Sequence, residues 1–197
     1  MSRMPPKITI TSTRDEAVAA ADEWMPYIRE WLISAIMDPK QHRDIGKVLA
    51  QASEIVSTQK LSEAAGRPLK LVVGESFDSR TDDDKPLVRA QHKFRMGDWH
   101  FETTRRNSKK NEDTNGTGHV AYRASEFDVC TIMVPGPHFG VTGSYIRCIP
   151  TTALLNPKKP DQLVTSINAK TRKTYDNEEK TREVINQLYQ TPPLPQG

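Results

Sequence analysis

The chain has 197 residues, of which 36% are hydrophobic and 27% charged, and its formal net charge is +3. This length suits one domain with a real core and excludes a large multidomain enzyme. Two cysteines exclude a disulfide-stapled secreted protein and a four-cysteine zinc site. No apolar run approaches the ~20 residues that span a bilayer, and the first ten residues lack an apolar signal core. We therefore expect a soluble, cytoplasmic protein that does not enter a membrane.

The first half of the chain predicts two helices. Apolar residues recur every three or four positions over 18–36, which is typical of one helical face. Pro26 lies inside this pattern and predicts a kink or a break. A second helix is predicted over 45–64, because Gly66 follows it and glycine commonly ends helices.

Beyond residue 68 the apolar period changes from near four to near two, which predicts strands connected by short turns. The predicted strands are 69–73, 87–94, 99–104, 127–134 and 145–150. The apolar density of 127–134 favours a central position in the sheet. The polar stretch 105–120 predicts a mobile surface loop, and a last helix is predicted over about 176–190, before a proline-rich tail.

Three residues in the strand region have side chains that are suited to catalysis, and their spacing predicts that they lie close together. Gln91 and Lys93 are two positions apart on a predicted strand, so their side chains share one face while His92 points to the other. Asp78 precedes this strand by a short turn, which allows the two segments to pair. Carboxylate and amide oxygens are ligands that Mg²⁺ prefers, and an ammonium group can orient water or offset charge on a phosphate. This combination suits metal-assisted cleavage of a phosphodiester.

At these residues the sequence resembles the PD-(D/E)XK, or restriction-endonuclease-like, nuclease superfamily. The resemblance covers about 45–167 and rests on Glu54 in a helix, then LKLVV, Phe77-Asp78, Gln91-His92-Lys93 and WHFETT in order. It is similar to the branch that contains homing endonucleases and archaeal-type resolvases. In that branch a tyrosine and then a strand ending in Val/Ile-Pro follow, and Tyr122 and Ile149-Pro150 match them here. The implied fold is α/β, a central mixed β-sheet flanked by helices.

The resemblance implies a Mg²⁺-dependent DNA endonuclease, with Mn²⁺ as a possible substitute. It would have an N-terminal helical segment (1–44), a nuclease core (45–170) and a C-terminal helix with a proline-rich tail (171–197), all in one domain. Asp78 and Gln91 would bind the metal, Lys93 would act on the attacking water or the transition-state charge, and Glu54 would assist from its helix. A restriction, homing or junction-resolving role stays open, and cleavage of duplex DNA implies a homodimer.

Two alternatives stay open at this point. Gln91 and Lys93 could form the solvated face of an edge strand, with Asp78 an ordinary turn residue. The chain could also keep the nuclease fold as an inactive DNA-binding or assembly module, because Gln91 is uncharged and Phe77 stands where the family pattern has proline. The acidic run 82–84 is interpreted as a solvated turn.

Basic residues cluster on and after the candidate strand and predict contacts with DNA phosphates. A plain solvated surface is the alternative for each cluster. The predicted nucleic-acid-binding residues are Arg89, Arg95, Arg105, Arg106, Lys109 and Lys110.

Overall fold

The computed structural model describes residues 13–38, 45–72, 75–95, 104–106, 119–137 and 140–190. The chain divides into two compact units, Met1–Lys47 and Val48–Gly197. No helix in these described ranges has both the length and the apolar character needed to cross a membrane.

The first unit is dominated by helix α1, Arg14–Met37. Its start is fixed by a capping box, in which Thr13 Oγ1 accepts from the Glu16 N–H at 3.3 Å and the Glu16 carboxylate accepts from the Thr13 N–H at 3.2 Å. The helix continues through Pro26, so of the predicted kink or break the break does not occur. A proline removes one backbone donor, and in a helix of 24 residues the remaining hydrogen bonds keep the flanking turns together.

The second unit is built on a five-stranded sheet in the order β1-β2-β3-β6-β7. Neighbouring strands are antiparallel except for β3 and β6, which are parallel. The strands are β1 Leu69–Leu71, β2 Ser79–Thr81, β3 Arg89–Phe94, β6 Val129–Val134 and β7 Tyr145–Pro150. The predicted α/β class with a central mixed sheet flanked by helices is confirmed, and β6 is interior as its apolar density predicts.

Helices cover one face of this sheet. Helix α2, Ile45–Ala65, and helix α4, Glu178–Ile185, bury Leu61 and Val184 against alternate residues of the interior strands. The predictions of helices over 45–64 and 176–190 are confirmed; the second of these continues as a π-helical turn, and the short helix α3, Ala169–Tyr175, was not predicted. The opposite face packs on Phe127, Leu154 and Leu163. Because side chains alternate along a strand, one interior strand supplies both layers.

Two ribbons lie outside the central sheet. Strand β4, Thr104–Arg106, pairs with β5, His119–Ala121, so the predicted loop over 105–120 is wrong at both ends, while its middle lies outside the described residues. Most of the strand predicted over 99–104 lies outside them too. Strand β8, Leu155–Asn156, pairs with β9, Lys159–Leu163. This β8–β9 hairpin docks on the segment 122–124, where the Tyr122 carbonyl accepts from the Leu163 N–H at 2.8 Å.

The buried side chain of Arg67 connects the acidic run 82–84 to the C-terminal helical segment. Arg67 is 5% exposed and donates through Nε and Nη2 to both carboxylate oxygens of Asp83, at 2.8 and 2.6 Å. It also donates to the carbonyls of Pro86 at 3.0 Å and Tyr189 at 3.3 Å. Asp82 forms an exposed ion pair with Lys70. Asp82 and Asp83 of the acidic run therefore form ion pairs within the fold. The interpretation of 82–84 as a solvated turn did not include these pairs.

Candidate active site

Asp78 and Gln91 meet where β2 pairs with β3. The Asp78 N–H donates to the Ala90 carbonyl at 3.0 Å, which sets the carboxylate beside the start of β3. Its Oδ2 accepts from Gln91 Nε2 and from the His92 backbone N–H, the latter at 2.6 Å. Gln91 is 6% exposed on an interior strand. The interpretation of a solvated edge strand is therefore wrong for Gln91.

Lys93 projects from the same face of β3 as Gln91. Its Nζ lies 3.1 Å from the Tyr122 hydroxyl oxygen, and its positive charge favours the ionised form of Asp78. Burial nevertheless raises the pKa of Asp78 above its ordinary value, against the opposing effects of the His92 N–H, Lys93 and Gln91. The Lys93 ammonium group and the half-buried Asp78 carboxylate thus lie close enough for their charges to interact.

Glu54, a half-buried residue of α2, is near enough to Asp78 and Lys93 for their charges to affect its pKa. Burial raises the pKa of Glu54, the negative charge of Asp78 raises it further, and Lys93 partly offsets both. Two half-buried carboxylates that repel each other favour a bound proton or a bound cation. The structure therefore brings Asp78 into contact with Gln91, and it places Lys93 and Glu54 near enough for their charges to interact with that of Asp78.

His92 ties the site's supporting elements together from the other face of β3. Its Nε2 lies 3.1 Å from Thr58 Oγ1 of α2 and 2.8 Å from Ser79 Oγ of β2, and its Nδ1 lies 2.5 Å from Thr131 Oγ1 of β6. Burial, with a smaller effect of Lys93, lowers the pKa of His92 to about 3, so the ring is neutral at neutral pH. His92 therefore lies buried on the face of β3 opposite Gln91, as its strand position predicts.

The donor set suits a hard divalent cation. Glu54 and Asp78 supply carboxylate oxygens, and the Gln91 amide supplies one neutral oxygen. No cluster of three or more His, Cys, Asp or Glu residues with metal-binding geometry occurs in the described ranges, so any ion here would depend on the amide and on water for its remaining ligands. Mg²⁺ commonly binds in this way, with few carboxylates and several waters.

The predicted nucleic-acid-binding residues are in different situations. Arg89 donates through Nε and Nη2 to both oxygens of Asp128 at 3.1 Å, and through Nη1 to the Ser125 carbonyl at 2.6 Å. Arg95 is half-buried directly after β3. The backbones of Arg105 and Arg106 lie in β4, while Lys109 and Lys110 lie outside the described residues.

Comparison with known proteins gives one distant likeness. No protein-family model matches the chain, and no curated protein does. Among solved structures, the chain is similar to a bacterial homing endonuclease, I-Ssp6803I. The match has 17% identity and a TM-score of 0.39, and it covers 54% of this chain and 70% of that one. A likeness of that size assigns neither a fold nor an activity.

Two features of the site escaped the sequence analysis. The contact between Lys93 and Tyr122 joins residues 29 apart in the chain, and the three hydroxyls around His92 come from three different elements. Tyr122 belonged to the family pattern without a role of its own. A buried polar histidine predicts hydrogen-bond partners, but not which residues supply them.

Proposed function

We propose that this chain is a Mg²⁺-dependent DNA endonuclease. The observation that carries the proposal is the contact of Asp78 with Gln91 beside the Lys93 ammonium, with Glu54 of α2 near enough for its charge to interact with theirs. The fold around them would be that of the restriction-endonuclease-like nucleases. Restriction, homing and junction-resolving activities all remain open, because recognition depends on loops and assembly more than on this core.

In this proposal each side chain has a defined task. The Asp78 and Glu54 carboxylates and the Gln91 amide oxygen would hold the cation, which when bound would stabilise negative charge on the phosphoryl group. Gln91 would have to rotate its amide, because its Nε2 faces Asp78 in the structure. Lys93 would orient the attacking water and offset charge that develops on the phosphate.

DNA would be held by basic residues on and after the candidate strand. The proposed contacts are those of Arg95, Arg105, Arg106, Lys109 and Lys110, with Arg89 reaching a phosphate only if it exchanges part of its bonding to Asp128. One site cuts one strand, so cleavage of both strands of a duplex implies a homodimer.

The second candidate is an inactive DNA-binding or assembly module. The observation in its favour is that Gln91 supplies no charge and presents its amide nitrogen to Asp78, which leaves two carboxylates for a cation. Such a site would bind Mg²⁺ weakly.

Cleavage assays distinguish the two candidates. Supercoiled plasmid and four-way junctions are incubated with the protein and Mg²⁺, Mn²⁺ or excess chelator. We expect cutting with either cation and none with chelator. Asp78→Ala should abolish cutting, and Asp82→Ala, which removes an exposed carboxylate four residues away, should not. DNA binding without cutting under every metal condition would favour the inactive module.

A further inference from the structure

Tyr122 accepts a hydrogen bond from the Lys93 ammonium group. Lys93 Nζ lies 3.1 Å from the phenol oxygen, to which it donates, and 5.1 Å from the centre of the ring. This hydrogen bond is charge-assisted, which makes it stronger than one between neutral groups. Lys93 therefore has a partner of its own on the face of β3 that carries Gln91.

Tyr122 itself is held firmly. It is 5% exposed, and its ring packs edge-on against Phe127, with centroids 5.3 Å apart and planes at 77°. Its carbonyl accepts from the Leu163 N–H, so the β8–β9 hairpin fixes its backbone. A tyrosine has only two side-chain torsions before its hydroxyl, and here packing restricts both. The phenol is thus a rigid support.

Lys93, in contrast, has a long flexible side chain. A lysine ammonium on four methylenes must lose rotational freedom before it can act at one point on a phosphate. Reaction rates depend steeply on such positioning. If a rigid acceptor holds Lys93 Nζ before the substrate binds, the side chain has already lost this rotational freedom, and the reaction step does not include that entropy loss.

We propose that Tyr122 is a positioning residue that holds the Lys93 ammonium in place beside Asp78. The inference rests on the proposed function for its effect on cleavage, and on the contact alone for its effect on Lys93. It gives the β8–β9 hairpin a role as well, because the hairpin secures the backbone of Tyr122. Tyr122→Phe is the decisive variant, since it keeps the ring and its packing and removes only the hydroxyl.

The first measurement is single-turnover cleavage beside DNA affinity. Tyr122→Phe should cut about tenfold more slowly, which is the scale of losing one hydrogen bond to a charged group. Its DNA affinity should stay within about twofold of wild type, since other basic residues hold the phosphates. Tyr145→Phe is the control, because Tyr145 is a half-exposed tyrosine whose ring packs on Arg147. Thermal unfolding verifies that both variants fold.

The second measurement does not depend on cleavage. Trace acetylation followed by peptide mass spectrometry reports how accessible each lysine amine is, with Lys85 as the exposed internal reference. Lys93 should be acetylated severalfold faster in Tyr122→Phe than in wild type, and at an unchanged rate in Tyr145→Phe. Unchanged Lys93 acetylation would overturn the proposal, and so would faster acetylation with undiminished cleavage. If wild type never cuts while Lys93 acetylation rises, the proposed function fails and the support of Lys93 by Tyr122 stands.

Discussion

Replacing Lys93 should slow cleavage of DNA without weakening DNA binding. Its charge would stabilise the transition state more than the bound substrate. Losing one preorganised electrostatic contact of this kind typically costs about a hundredfold to a thousandfold in rate. Lys93→Ala should therefore reduce cleavage by about that factor while DNA affinity stays close to wild type.

The measurements are single-turnover cleavage and a salt-matched binding titration. Lys85→Ala, at an exposed lysine of the acidic turn, is the matched control and should behave as wild type in both. Normal cutting by Lys93→Ala would show that the site is misassigned.

The substitution Gln91→Glu tests whether the carboxylates of the site bind a cation. Gln91→Glu replaces the amide that donates to Asp78 with a third carboxylate at a buried position. Like charges at such a place repel strongly, so in chelator the variant should unfold at a lower temperature than wild type. Because it adds a hard ligand, Mg²⁺ should raise its unfolding temperature by more than it raises that of wild type.

Calorimetric or dichroism melts with a magnesium titration give both quantities. Gln59→Glu introduces the same charge at an exposed position of α2 and should show neither effect. Equal responses to Mg²⁺ in wild type and Gln91→Glu would contradict a metal site at Asp78.

Among the elements, the acidic turn between β2 and β3 depends on Arg67. The Arg67 guanidinium, through its hydrogen bonds, is the main reason that the pKa of Asp83 falls from 3.8 to about 2. A carboxyl group whose pKa is lowered by folding stabilises the fold above pH 3.8, and this contribution is lost as the pH falls towards 2. Asp83→Asn should therefore be less stable than wild type near neutral pH, and the difference should shrink below pH 3.8.

Urea unfolding at a series of pH values measures that difference. Asp84→Asn, the exposed neighbour in the same turn, is the control and should follow the wild-type curve. A difference between Asp83→Asn and wild type that is constant with pH would exclude the ion pair as its cause.

The basic segment that begins in β4 predicts a general effect on DNA binding. Replacing Arg105, Arg106, Lys109 and Lys110 together with alanine should weaken binding to every sequence. It should also lower the slope of log affinity against log salt by up to about 3.6, since each phosphate contact contributes about 0.9. The control replaces Lys180 and Arg182, which form ion pairs within α4. An unchanged affinity and salt slope would remove these residues from the interface.

Elements that carry their own local signal are the ones that the sequence predicts. The apolar repeat over 18–36 marks α1, and the high apolar density of 129–134 marks an interior strand. The β8–β9 hairpin has no such signal, because Lys159–Leu163 is mostly polar and Gln162 pairs with Arg123, 39 residues earlier. Asp78, Gln91 and Lys93 could be selected because they lie on adjacent strands, whereas Tyr122 meets Lys93 only through tertiary folding.

For the whole molecule, the proposed homodimer makes a prediction about strand cleavage. Two sites would cut the two strands of a duplex, so a mixed dimer with one Lys93→Ala subunit should cut one strand only. Excess Lys93→Ala protein added to wild type, after exchange of subunits, should convert supercoiled plasmid into nicked circles in place of linear DNA. Linear product that falls only in proportion to the wild-type fraction would argue for independent monomers.

The single parallel pair in the central sheet has a consequence for how the molecule folds. Strands β1, β2 and β3 are joined by short turns, so Asp78 and Gln91 can meet after closing a small loop. Pairing β3 with β6 brings together residues 39 apart, such as His92 and Thr131, and this larger loop costs more chain entropy. Tyr122 lies within that connection. The carboxylate–amide pair therefore belongs to the early, local part of folding, and the support of the Lys93 ammonium is completed only when the slow, long-range pairing is made.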